Sequence, residues 1–246
     1  MPYDIIIGRD EEDRKKFGKE GSIFIGKGYV KMGQTTSLSN NIFLDINKPH
    51  VILVSGKRGS GKSTSLGVMA EEMSNLPEEL NKKLSFILFD TMGIFWTMKY
   101  KNERQKELLK EWNLEPKNFD VKIFTPKGFY ELYKEKELPT DFGFSIKTKE
   151  LDASDWCNTF NIELTSPIGI LIEKSVKSLK EKDSYSIKDI INIVRKDTTS
   201  EQSVKNAAEN RFLAADSWGL FEEHGTEIKE MIKPGQVAII DLSLYT

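Results

Sequence analysis

The segment "VILVSGKRGSGKS", residues 51–63, constrains the fold of this chain more than any other stretch. Its first half is a short continuous apolar run, as in a strand covered on both faces. Its second half fits G-x-x-x-x-G-K-[ST] at every fixed position from Gly56 to Ser63. Leu66, Met69, Ala70 and Met73 then fall on one face of a helix expected over 61–75. A chance match in a surface loop would lack those flanks, and here both are present.

The spacing has a chemical reason. Glycines let the backbone curl until successive N–H groups point inward, which suits phosphate oxygens. Lys62 reaches the β- and γ-phosphates, and the Ser63 hydroxyl is placed for Mg²⁺. The helix beginning at Gly61 turns its positive dipole end to the same anion. Gly56, Lys57, Arg58, Gly59, Ser60, Gly61, Lys62, Ser63 and Thr64 are the candidate nucleotide contacts, with Lys62 the candidate catalytic residue. Arg58 has two readings: a contact to a phosphate or a neighbouring subunit, or a solvated loop cation.

Further runs extend the pattern. "LSFILFD" at 84–90 and "DVKIFTP" at 120–126 read as strands, and "QVAIID" brings the strand pattern back at 236. Strand, helix, strand, helix, strand argues for a mainly parallel α/β sheet. Before His50, "GSIFIGKGYVKMG" and "NNIFLDI" read as two or three strands of a small β element, residues 1–48. Residues 9–20 are almost all charged and read as a solvated loop or helix start. Residues 49–246 form the expected main domain, with a helical insertion at about 142–232. In that insertion Pro167 suits a helix start. "SIKD" at 186–189 is a capping box. Gly219 stops a helix that runs through 202–217.

Composition excludes several classes. One cysteine, Cys157, permits no intrachain disulfide and no Cys-rich metal site. His50 and His224 have no second ligand at metal spacing and read as satisfied or solvated side chains. A net charge of -2 makes no demand for nucleic acid. No window approaches ~18 consecutive apolar residues, and the apolar run at the N-terminus is too short for a signal peptide, so a cytoplasmic protein without membrane contact is expected. Only six of the 36 basic residues are Arg, which disfavours a small-molecule phosphotransferase with an Arg-rich lid. The four tryptophans are scattered and read as packing residues.

Three charged residues stand apart. Asp90 ends the strand after the loop helix, where it could hold Mg²⁺ through water, support such a group, or cap the strand. "DTMG" at 90–93 also fits the D-x-x-G of GTPases, but no threonine lies between Ser65 and Phe89, and no [NT]-K-x-D occurs. Asp241 ends the last strand without a glutamate after it. Arg211 falls, at 100° per residue, near the middle of a stripe with Val204, Ala207, Ala208 and Ala215. A cation there must be paired, snorkel or face a subunit boundary.

Together "PHVILVSGKRGSGKS", "FILFDTMGIFW" and "PGQVAIIDLS", in that order around a helical insertion, resemble the HerA-type ATPases of the HerA–FtsK superfamily. The likeness runs from about residue 20 to 243 and implies a RecA-like P-loop NTPase fold. It implies ATP and Mg²⁺ as cofactors, a homo-hexamer with ATP at subunit boundaries, DNA as the polymer handled, and a nuclease as a partner. The β element before His50 resembles a reduced form of the family's N-terminal barrel. In that family the segment matching "VAIIDLS" precedes a hydrolytic strand ending in Asp-Glu. Asp241 is therefore expected to be a core strand residue. The hydrolytic pair and an arginine finger are expected beyond Thr246, the fold being incomplete at its C-terminus. The family's Asp-Pro-His-Gly-Glu-Tyr is matched at Asp90 and Gly93, while Ile94 takes the glutamate's place. A non-motor ATP-dependent switch that controls assembly is the alternative reading.

Overall fold

The computed structural model describes residues 3–33 and 35–245. Along the chain run β1 (Ile5–Ile7), α1 (Glu11–Phe17), β2 (Ser22–Met32), β3 (Thr35–Asp45), α2 (Lys62–Ser74), α3 (Glu78–Asn81) and β4 (Phe86–Asp90). Next come α4 (Lys106–Glu111), β5 (Val121–Pro126), α5 (Lys127–Glu135), β6 (Phe142–Phe144) and β7 (Ile146–Lys147). The remainder is α6 (Ala153–Phe160), α7 (Pro167–Leu179), α8 (Ile187–Lys196), α9 (Gln202–Ser217), β8 (Phe221–Glu222), α10 (Ile228–Met231) and β9 (Val237–Asp241).

The main sheet has the order β4-β9-β5-β6. Phe86 N–H donates to Gln236 O at 3.1 Å and Leu242 N–H to Asp90 O at 2.9 Å, so β4 and β9 run the same way. β6 is parallel to β5, with Phe142 opposite Phe124 and their rings stacked at 5.3 Å. The α/β class with a parallel sheet is as the sequence predicts. β9 lies inside the sheet and all five of its residues are buried, which accounts for its unbroken apolar run. β6, β7 and β8 have three residues or fewer and carry no legible strand pattern.

The chain divides into two compact units. The first holds residues 1–88, 94–121 and 232–238, and the second holds 89–93, 122–231 and 239–246. In the first unit, β2 and β3 form a long antiparallel hairpin and β1 adds in parallel to β3. Ile6, Ile23 and Leu44 are its buried apolar residues. Arg9 corrects the reading of 9–20 as a wholly solvated segment. Its side chain is buried, with Nε donating to Asp45 Oδ1 at 2.9 Å, Nη1 to Gly18 O at 2.8 Å and Nη2 to Glu20 O at 2.8 Å. Nη2 also pairs with the Asp45 carboxylate, and His50 Nε2 lies 2.9 Å from Asp45 Oδ2, so His50 is a satisfied side chain. Periodicity cannot announce such a residue, because its burial is decided by a carboxylate 36 positions away.

In the second unit, α6–α9 enclose a core of their own. Trp156 stacks on Phe160 at 5.6 Å and meets Phe212 edge-on at 5.2 Å, and Ile172, Ile190 and Val194 complete the filling. Local signals hold here. Pro167 occupies the first turn of α7 after Ser166, whose side chain accepts the Gly169 N–H. Ser186 and Asp189 form the reciprocal capping box of α8. Gly219 follows α9 at φ 62°.

One expected strand is not formed. Residues 51–56, ahead of the loop, belong to no sheet, and Val51 and Leu53 are fully exposed. An apolar, β-branched run sets a preference for extended backbone. It becomes a strand only when another strand supplies the ladder.

Candidate functional site

The glycine loop joins that apolar run to α2. Gly61 is the helix N-cap at φ 88°, a left-handed conformation that disfavours any residue with a Cβ. A Cβ on Gly56 would lie 2.4 Å from Ser60 Oγ, so a side chain there would force Ser60 to move. Ser60 N–H donates back to Lys57 O at 3.1 Å, closing the turn. No side chain caps α2. The amides of its first turn, at Lys62, Ser63 and Thr64, therefore have no acceptor within the helix. Lys62 Nζ lies over the loop and donates to Gly56 O at 2.8 Å and Lys57 O at 3.0 Å. An ammonium, free amides, a helix N-terminus and a glycine-curled backbone fit a polyphosphate, and the loop cations Lys57 and Arg58 are exposed beside them.

Two buried aspartates close strands of the main sheet. Asp90, at the end of β4, accepts the Met92 N–H on Oδ1 at 3.1 Å. Asp241, at the end of β9, accepts from Tyr133 Oη on Oδ2 at 3.0 Å. Its Oδ1 accepts from Ser243 N–H at 2.9 Å and Ser243 Oγ at 2.7 Å. Both oxygens of Asp241 are thus occupied by protein donors, the arrangement of a strand-end carboxylate that organises a turn. Burial raises the Tyr133 phenol, and the neighbouring Asp241 charge acts in the same direction.

The family model described as "Helicase HerA, central domain" matches residues 30–246. The chain belongs to the HerA central-domain family. This is a family of P-loop ATPases, which bind nucleotide with a divalent metal. A search of curated proteins gave no match. No helix among the described residues is long and apolar enough to cross a membrane.

Within this HerA-family chain the candidate residues divide between the units. Gly56–Thr64 lie in the first; Asp90, Asp241 and Arg211 lie in the second. The structure corrects the helix face assigned to Arg211. The buried stripe of α9 is Ala208, Phe212 and Ala215, and Arg211 is exposed. Alanines weight a helical wheel weakly, and the phenylalanine at position 212, about 100° around the helix from Arg211, draws the buried face away from it. Among the described residues Arg211 forms no ion pair, whereas Glu209, two positions earlier on α9, is paired with Arg195 at 2.6 Å. Among those residues there is also no group of three or more His, Cys, Asp or Glu side chains that could hold a metal ion. A divalent ion at the loop would be held by Ser63, the phosphates and bound water and not by a cluster of carboxylates.

Proposed function

We propose that this chain is the ATP-binding part of a hexameric, DNA-translocating motor of HerA type, acting in the cytoplasm, with a nuclease as a partner. The observation that carries the nucleotide assignment is the glycine-curled loop ahead of an uncapped α2 with Lys62 placed over it. Lys62 and the loop amides hold the β- and γ-phosphates of ATP, Ser63 Oγ serves as a ligand of Mg²⁺, and Asp90 contributes through a metal-bound water. Mg²⁺, when bound, neutralises phosphate charge and polarises the transferred phosphoryl group.

Among the described residues no strand ends in Asp-Glu. β4 runs into Thr91 and β9 into Leu242. Positioning without a carboxylate to activate water yields little rate. ATP hydrolysis by these residues alone is therefore expected at or near background in a steady-state phosphate-release assay. Robust turnover that disappears in Asp241→Asn would show that β9 is the hydrolytic strand after all. The same observation supports the second reading, a non-motor switch in which nucleotide binding controls assembly. Stimulation of the full-length protein's ATPase by DNA separates the two: a motor is stimulated, and a switch is indifferent.

Exposure of Arg211 suits a contact made across a subunit boundary to a neighbour's carboxylate or bound nucleotide. In the full-length protein Arg211→Ala is expected to weaken assembly or ATP turnover while moving the melting temperature by about 2 °C or less, as for other surface substitutions. Size-exclusion chromatography with light scattering and a thermal melt check it together. A mutant that melts several degrees lower yet assembles normally would make Arg211 an internal partner instead.

A further inference from the structure

A cavity of the first unit lies away from the phosphate loop. It has a volume of about 740 Å³, within the 300–1,000 Å³ of small-molecule sites and more than one side chain fills. α2 supplies Glu71, Glu72 and Asn75 from its last turn, about 15 Å along the helix from Lys62. Facing them, Trp96 and Tyr100 form an edge-to-face pair at 5.9 Å, and Leu114 and Phe119 add apolar wall.

The charge in this cavity is unbalanced. Its ionisable lining is Glu71, Glu72, Glu115, Lys101 and Lys117, an excess of one negative charge. Lys117 Nζ donates to Asn75 Oδ1 at 3.4 Å; burial raises the Glu72 carboxyl, and Asn75 and Lys117 offset only part of that rise. Glu71 is half-buried and, among the described residues, has neither an ion pair nor a hydrogen bond on its carboxylate. Burial raises the Glu71 carboxyl and the Glu72 charge raises it further. A half-buried carboxylate without a partner is costly in a folded protein, and one beside aromatic walls is matched by a positive organic group.

We propose that this cavity is a binding site for a small organic cation, a molecule with an ammonium or guanidinium-like group on an apolar or aromatic body. Glu71 takes the charge, and Trp96 and Tyr100 take the body and the cation's flank. The site is separate from the nucleotide loop and does not depend on its assignment.

Matched probes test it on the 246-residue chain by isothermal titration. Benzamidinium is expected to bind saturably and at least about tenfold more tightly than its neutral isostere benzamide, the factor expected of one charge-assisted contact. Glu71→Gln is expected to lose that tenfold preference, and Trp96→Leu to weaken the cation about three- to thirtyfold. Lys62→Ala is expected to bind the cation like the wild type. Binding should fade on acidification at a pH above the ordinary glutamate range, since the raised Glu71 carboxyl protonates early. A carboxylate raised by burial opposes folding at neutral pH, so Glu71→Gln should melt no lower than the wild type. That sign separates loss of a ligand contact from loss of structure. Equal affinity for benzamidinium and benzamide would overturn the assignment, as would an unchanged cation affinity in Glu71→Gln or no saturable binding of the cation at all.

Discussion

Lys62→Ala is expected to weaken ATP·Mg²⁺ binding about a hundredfold while leaving the fold intact. The side chain is half-exposed and its contacts are to loop carbonyls, Gly56 O and Lys57 O, that water can solvate once the ammonium is gone. The loss in the complex is different in kind. There the ammonium is replaced by nothing, and charge-assisted hydrogen bonds to two phosphate groups disappear. At about 1.5 kcal/mol each these amount to about 3 kcal/mol, or two orders of magnitude in affinity. Isothermal titration of both forms, with melting temperatures to show equal folding, is the measurement. Equal affinity would remove the nucleotide assignment from this loop. A Gly56 packed against the Ser60 side chain and a left-handed Gly61 would then need another explanation.

Arg9→Ala is expected to have the largest effect on stability, about 3–5 kcal/mol, because it strands a buried carboxylate rather than removing one contact. Asp45 is almost wholly enclosed, and Gly18 O, Glu20 O and Gly21 O would also lose a donor. For a chain of this length that is a fall of about 6–20 °C in the midpoint of a thermal melt, if the first unit unfolds cooperatively. The pH dependence has a definite sign. Burial pushes the Asp45 carboxyl upward, but hydrogen bonds from His50 and Arg9 outweigh it and hold the group below its usual range. A carboxyl lowered in the folded state adds stability that is present above its unfolded pKa. That stability is lost as pH falls through the folded value. Without Arg9 the acid-side loss should therefore begin at a higher pH. Arg9→Lys should recover only part of the stability, since one ammonium cannot reproduce the planar fork that reaches Asp45 and three carbonyls. A melt within 1 °C of the wild type for Arg9→Ala would mean that water takes over the site.

What the sequence by itself determined here is what neighbouring residues settle among themselves. The glycines at 56 and 61 dictate the loop, Ser186 with Asp189 opens α8, Pro167 starts α7, and Gly219 follows the end of α9. Each acts through a backbone angle or a hydrogen bond within a few positions. The burial of β9 was legible for a related reason, since five enclosed positions in a row leave an unbroken apolar run. The tertiary structure decided the features that need a distant partner. Residues 51–55 carry the same apolar signal as β9, yet they join no sheet and are largely exposed. Arg9 looks like one more charge in a charged segment until Asp45 and three carbonyls close around it. Arg211 changes face because the bulk of Phe212, packed against Trp156 and Phe160, outweighs a row of alanines. A local preference costs or gains about a kcal/mol per residue, whereas enclosing an aromatic ring or an ion pair is worth several, so where the two compete the distant contact prevails.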